Sequence, residues 1–120
     1  MINIGVVGCG YWGPNLIRNF NNSAFTNLKW VCDLDNKRLQ KVKNIYPHVN
    51  ITTDLNQLLS DEKLDAIAIA TPVGTHSPIA LKCLDNRKHV LIEKPIASTV
   101  KEAETLIEVA KKNELVLMCD

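Results

Sequence analysis

The chain has 120 residues, 46% of them apolar and 22% charged, the ordinary make-up of a single globular domain. Fourteen basic side chains against thirteen acidic ones leave a net charge of +1, with no basic stripe of the kind that follows a nucleic-acid backbone. The longest nearly pure apolar run, Ala66 to Ala70, is far too short to cross a bilayer. The opening Met-Ile-Asn-Ile lacks the basic and long apolar stretches of a secretory leader. Cys9, Cys32, Cys83 and Cys119 are scattered without C-x-x-C or metal spacing, so a reduced, cytoplasmic setting is expected.

Ile2–Val7 reads as a short apolar strand and Gly13–Asn22 as a helix. Leu28–Asp33 is a second strand, and Asp35–Ile45 a helix with Leu39 and Val42 spaced for one face. A short strand is expected near Ile51–Thr52. Asp54 with Gln57 reads as a capping box ahead of Leu55, Leu58 and Leu59. Asp65–Ala70 is a nearly continuous strand of the buried type. Ser77 is placed as the cap of a helix whose first position is Pro78 and which runs to about Asn86. His89–Ile92 is another strand, Thr99 and Glu102 form a second capping box for a helix through Asn113, and Leu115–Cys119 is the last strand. Strands and helices alternate, and the strands are apolar on both faces. That pattern predicts an α/β fold: a doubly wound, mostly parallel sheet with helices on both faces. No repeat or linker divides residues 1–120, which read as one domain.

Gly8-Cys9-Gly10-Tyr11-Trp12-Gly13 stands between the first strand and the first helix. In this position Gly8 permits a tight turn, Gly10 lets a pyrophosphate reach the backbone, and Gly13 lets the helix pack close on the strand. The helix start offers free N–H groups and a partial positive charge to an anion. Pro14 donates nothing, so the amides of Tyr11, Trp12 and Gly13 are the candidate phosphate donors. A ligand-free tight turn is the plain alternative. Asp33 closes the second strand, 20 residues after Gly13. A carboxylate there accepts from both hydroxyls of an adenosine ribose and repels a 2′-phosphate, which favours NAD over NADP. The competing reading makes Asp33 a turn or cap acid before Asp35. Lys37 and Arg38 read as solvated helix charges, while Tyr11 and Trp12 either shield the dinucleotide or pack into the core.

Two other strand ends carry polar residues. The strand "DAIAIA" runs into Thr71, Pro72, Gly74, Thr75 and His76, and "VLI" runs into Glu93, Lys94 and Pro95. A charged pair at the mouth of an apolar strand is costly unless it faces water or a ligand. Together GCGYWGPN, VCDLD, ATPVGTH and IEKP resemble the N-terminal domain of the Gfo/Idh/MocA oxidoreductases, the family of glucose–fructose oxidoreductase and inositol dehydrogenase. The likeness covers essentially the whole chain. Its most specific part is Glu-Lys-Pro, and GYWGPN is most similar to members acting on nucleotide-linked sugars or their acids.

The resemblance implies a Rossmann-type NAD-binding domain. Thr71 and Pro72 would border the nicotinamide half of the cofactor with His76 close behind, and Glu93 would touch the nicotinamide ribose. Lys94 would approach the substrate's reacting hydroxyl, across a cis Lys94–Pro95 bond. An ammonium beside that oxygen stabilises the developing alkoxide and can pass its proton on. The plain alternatives are an exposed salt bridge for Lys94 and a loop or capping role for His76; His48 and His89 read as structural. The family's enzymes add a mixed α/β domain that supplies much of the sugar pocket and commonly a histidine from a D-x-x-x-H stretch. The chain is therefore expected to be the N-terminal part of a longer, homo-oligomeric enzyme, inactive alone and acting on a small-molecule sugar or nucleotide-sugar. The alternative is a non-catalytic module that reports NAD(H) to a partner. A methyltransferase shares the strand–glycine–helix topology but leaves Glu93-Lys94-Pro95 unexplained.

Overall fold

A computed structural model describes residues 1–120. Six strands, β1 (Ile2–Val7), β2 (Thr26–Cys32), β3 (Asn50–Thr52), β4 (Ala66–Ile69), β5 (His89–Ile92) and β6 (Leu117–Cys119), form one sheet. Between them run the helices α1 (Gly13–Asn22), α2 (Asn36–Ile45), α3 (Leu55–Leu59), α4 (His76–Asp85) and α5 (Val100–Lys112). The strand order is β3-β2-β1-β4-β5-β6 and every pairing is parallel, where the sequence predicted a mostly parallel sheet. The winding reverses at β1, which lies between β2 and β4. That reversal opens a crevice at the carboxyl ends of β1 and β4.

Side chains alternate between the two faces with the strand period of two. Ile67 and Ile69 of β4 join Cys83 and Leu84 of α4 and Leu106 of α5 on one face. Ala68, between them, joins Ile17 of α1 and Leu39 and Val42 of α2 on the other. Each fully buried Leu or Ile contributes about 1.5–3 kcal/mol relative to exposure, so two such layers hold the sheet from both sides. Three of the four cysteines belong to these layers, and none is paired. Burial pushes the thiols of Cys9 and Cys83 up to about 12, which keeps them neutral. No helix is long and apolar enough to cross a membrane.

Two helix starts differ from the sequence reading. Val73–Thr75 forms a single 3-10 turn, and α4 begins at His76, with Thr75 at the cap position and no side-chain cap bond. Ser77 is therefore not the cap but a buried residue inside the first turn, and Pro78 is the third helical residue rather than the first. Its missing N–H does no harm, because first-turn amides have no intrahelical acceptor. Asp54 does cap α3, accepting from Asn56 N at 2.9 Å, but Gln57 returns only its backbone N–H, to Asp54 O. Thr99 and Glu102 form the full reciprocal pair at α5. Strand β2 begins two residues before the predicted Leu28, and β6 two after Leu115. Strand limits follow the reach of the neighbouring ladder, which local pattern does not carry.

Lys88 is 5% exposed, and its Nζ donates to Asp61 O at 2.6 Å and Leu64 O at 2.9 Å. It holds the turn that leads into β4. Lys88→Met leaves both carbonyls without that donor and should cost about 2 kcal/mol. For a domain of this size that is a fall in Tm of roughly 8 °C, read by thermal circular dichroism. An unchanged Tm would show that the turn stands without the ammonium.

Candidate cofactor site

The carboxyl ends of β1, β2, β4 and β5 surround a cavity of about 850 Å³. That volume is within the range of roughly 300–1,000 Å³ usual for cofactor pockets. The glycine turn forms its floor. Gly8 has φ +95°, and a Cβ there would lie 2.7 Å from Ala70 O, so the turn passes β4 at a distance only glycine allows. A Cβ on Gly13 would overlap the Gly8 carbonyl oxygen outright. Gly13 is buried and does not border the cavity; it acts by letting α1 approach the turn. Gly10 does border it, and the N–H groups of Gly10, Tyr11 and Trp12 have no acceptor within the chain. Three adjacent free donors at a helix start suit a pyrophosphate. Tyr11, 94% exposed, and Trp12, 47% exposed, stand at the rim, so neither packs into the core.

Asp33 faces the same turn from the end of β2. Its Oδ2 accepts from Cys9 N and its Oδ1 from Asp35 N, each at 2.8 Å. A carboxylate has about four acceptor positions, so the two amides leave room for a ribose hydroxyl. Burial pushes this carboxyl up, but the two amides, the Cys9 thiol and the Arg38 guanidinium together outweigh it and hold it below the usual carboxylate range. The residue thus combines the turn-acid role with a place on the cavity wall. The helix cap is Asp35, which accepts from Lys37 N and Arg38 N.

Arg38 is solvated, as the sequence predicts, and it also borders the cavity. A guanidinium nitrogen lies 3.2 Å from where a Gly10 Cβ would be, and Nε is 3.8 Å from Asp35 Oδ2. The usable signal was its place in the first turn of α2, since helical side chains lean toward the helix N-terminus.

Thr71, Pro72 and His76 after β4, with Glu93 and Lys94 after β5, complete the wall. The Lys94–Pro95 bond is cis. Lys94 is exposed and belongs to neither of the chain's two salt bridges, so the surface ion pair is not what the structure has. His76, 2% exposed, places each ring nitrogen 2.7 Å from a carbonyl oxygen, Nδ1 on Pro95 and Nε2 on Thr71. One D-x-x-x-H spacing occurs in the chain, Asp85–His89, but its histidine is the first residue of β5, at the end of the strand opposite the cavity, and His89 Nδ1 accepts from Val116 N.

Residues 2–120 match the family model described as an oxidoreductase family with an NAD-binding Rossmann fold. The chain is 32% identical over 118 residues to 2,7-anhydro-N-acetylneuraminate hydratase of Escherichia coli strain K12, covering 98% of this chain and 31% of that protein. It is 34% identical over 103 residues to inositol 2-dehydrogenase 2 of Paenarthrobacter aurescens, covering 85% of this chain and 30% of that one. The crystal structure of GenD2 from gentamicin A biosynthesis, in complex with NAD, superposes with a TM-score of 0.94 at 28% identity over 98% of this chain and 34% of its own. The chain spans about a third of the length of these relatives.

Proposed function

The chain belongs to the Gfo/Idh/MocA oxidoreductase family, and from that premise we propose that it is the cofactor domain of an NAD-dependent enzyme that oxidises a hydroxyl of a sugar or nucleotide-linked sugar. The observation that carries the reading is the pairing of free amides at Gly10–Trp12 with the Asp33 carboxylate across one cavity. The amides would take the pyrophosphate. The open acceptor positions of Asp33 would take the adenosine hydroxyls and repel a 2′-phosphate, which favours NAD over NADP. NAD, when bound, supplies the hydride acceptor.

Thr71, Pro72 and Glu93 would flank the nicotinamide end. The Lys94 ammonium would stand by the substrate oxygen, stabilise the negative charge that grows there as hydride leaves the carbon, and carry the hydroxyl proton away. The named relatives, an inositol 2-dehydrogenase and a 2,7-anhydro-N-acetylneuraminate hydratase, support a polyhydroxylated substrate. A second domain would close the pocket, supply further substrate contacts and join subunits into a homo-oligomer in the cytoplasm.

Calorimetric titration of the chain with NAD and NADP, as wild type and as Asp33→Ala, tests the cofactor assignment. Wild type should bind NAD at least tenfold more tightly than NADP, the worth of about 1.4 kcal/mol in lost ribose bonds and phosphate repulsion. Asp33→Ala should weaken NAD and narrow the gap by improving NADP relative to NAD, a change that a merely loosened turn does not produce. Equal affinity in all four titrations would remove Asp33 from the ribose.

A further inference from the structure

His76 is the first residue of α4, and its ring stands between two segments that reach the cavity from different strands. One is the turn after β4, whose Thr71 carbonyl oxygen lies 2.7 Å from Nε2. The other is the Glu-Lys-Pro segment after β5, whose Pro95 carbonyl oxygen lies 2.7 Å from Nδ1. Each segment makes other hydrogen bonds, none of them to the other segment. Thr75 Oγ1 donates to Pro72 O at 2.6 Å and pairs with Thr71 Oγ1 at 2.7 Å. Glu93 N donates to Ile69 O at 3.0 Å, and Lys94 N to Asp120 O at 3.1 Å. No other hydrogen bond joins residues 71–75 to residues 93–97.

We propose that His76 is a positioning residue: its imidazole ties the turn after β4 to the Glu-Lys-Pro segment and so sets the geometry of the nicotinamide end of the cavity. The role rests on the dinucleotide reading above. An imidazole donates from both ring nitrogens only when both carry hydrogen, and in that form one rigid side chain holds a carbonyl oxygen on each side. The ring is withdrawn from solvent, and removing it takes from two backbone carbonyls the partner they share. The segments are then free to shift relative to one another. A displacement of about 1 Å at a reacting end is enough to weaken chemistry strongly.

The test compares NAD with ADP, which keeps the adenosine and the pyrophosphate but lacks both the second ribose and the nicotinamide ring. His76→Phe keeps an aromatic ring without either nitrogen. His76→Asn keeps an amide N–H near the Nδ1 position, and His76→Gln keeps one near Nε2. In calorimetric titrations of the chain, His76→Phe should raise the Kd for NAD about fivefold while the Kd for ADP stays within twofold, and one of the amide variants should recover part of the loss. A merely structural role lowers Tm and moves both ligands together through the folded fraction. Equal shifts for the two ligands, or none for NAD, would overturn the positioning role and leave the cofactor assignment intact. If wild type binds neither ligand, both fall. Where His76→Phe does not fold, the ratio of the two affinities in His76→Gln decides by the same criterion.

Discussion

Replacing Gly13 with alanine should weaken dinucleotide binding by the chain about a hundredfold or more and lower its Tm by about 12 °C. The added Cβ would overlap the Gly8 carbonyl oxygen, and the obstacle is backbone on both sides. Gly8 cannot retreat, because it already sits at φ +95° with its own missing Cβ 2.7 Å from Ala70 O. Helix α1 must lift instead, and Ile17, 1% exposed, would leave its place among Ile4, Val6 and Leu28. Overpacking of this kind costs about 3 kcal/mol, which sets the expected fall in Tm. The same lift moves the free amides of Gly10, Tyr11 and Trp12, so affinity for NAD should fall by roughly a hundredfold or more. Thermal melts and calorimetry on one preparation read both effects. Binding within threefold of wild type would show that the close helix–turn contact does not set those amides.

In an enzyme carrying this domain together with its substrate domain, Lys94→Ala should reduce kcat by about 10²–10⁴-fold, the range expected when a proton-transfer group and a charge beside the reacting oxygen are both removed. NAD affinity should change by less than about threefold, since Asp33 and the turn amides lie at the other end of the cavity. Lys94→Arg separates the two contributions: a guanidinium keeps the charge but does not give up its proton, so it should restore only part of the rate. Steady-state kinetics with direct cofactor titration distinguish the cases. Normal turnover in Lys94→Ala would take Lys94 out of the chemistry, and a matched loss of NAD affinity would make it a cofactor contact.

The elements were legible where a local pattern sufficed. The apolar run Ile2–Val7, the capping box at Thr99 and Glu102, and the glycine spacing each encode their structure in adjacent residues. The start of α4 was misread because Ser77-Pro78 is a good local signal for a helix start. It was overridden by the turn at Val73–Thr75 and by the two carbonyls that draw His76 inward. Arg38 is the solvated charge expected, and only the structure shows that it also borders the cavity, because counting turns along a helix says nothing about where a long side chain leans.

The amino-acid order by itself determined the alternation of strand and helix, and with it the parallel sheet, because burial on both faces and right-handed crossovers leave few other solutions. It also determined the glycine turn and the acid after β2, since both are consequences of spacing. Only the tertiary structure decided that Asp33 holds Cys9 and Asp35, that His76 joins Thr71 to Pro95, and that Lys88 supports Asp61 and Leu64. Most of those bonds connect residues far apart in the chain, and their partners are set by how strands neighbour one another in space, which no short window of sequence contains.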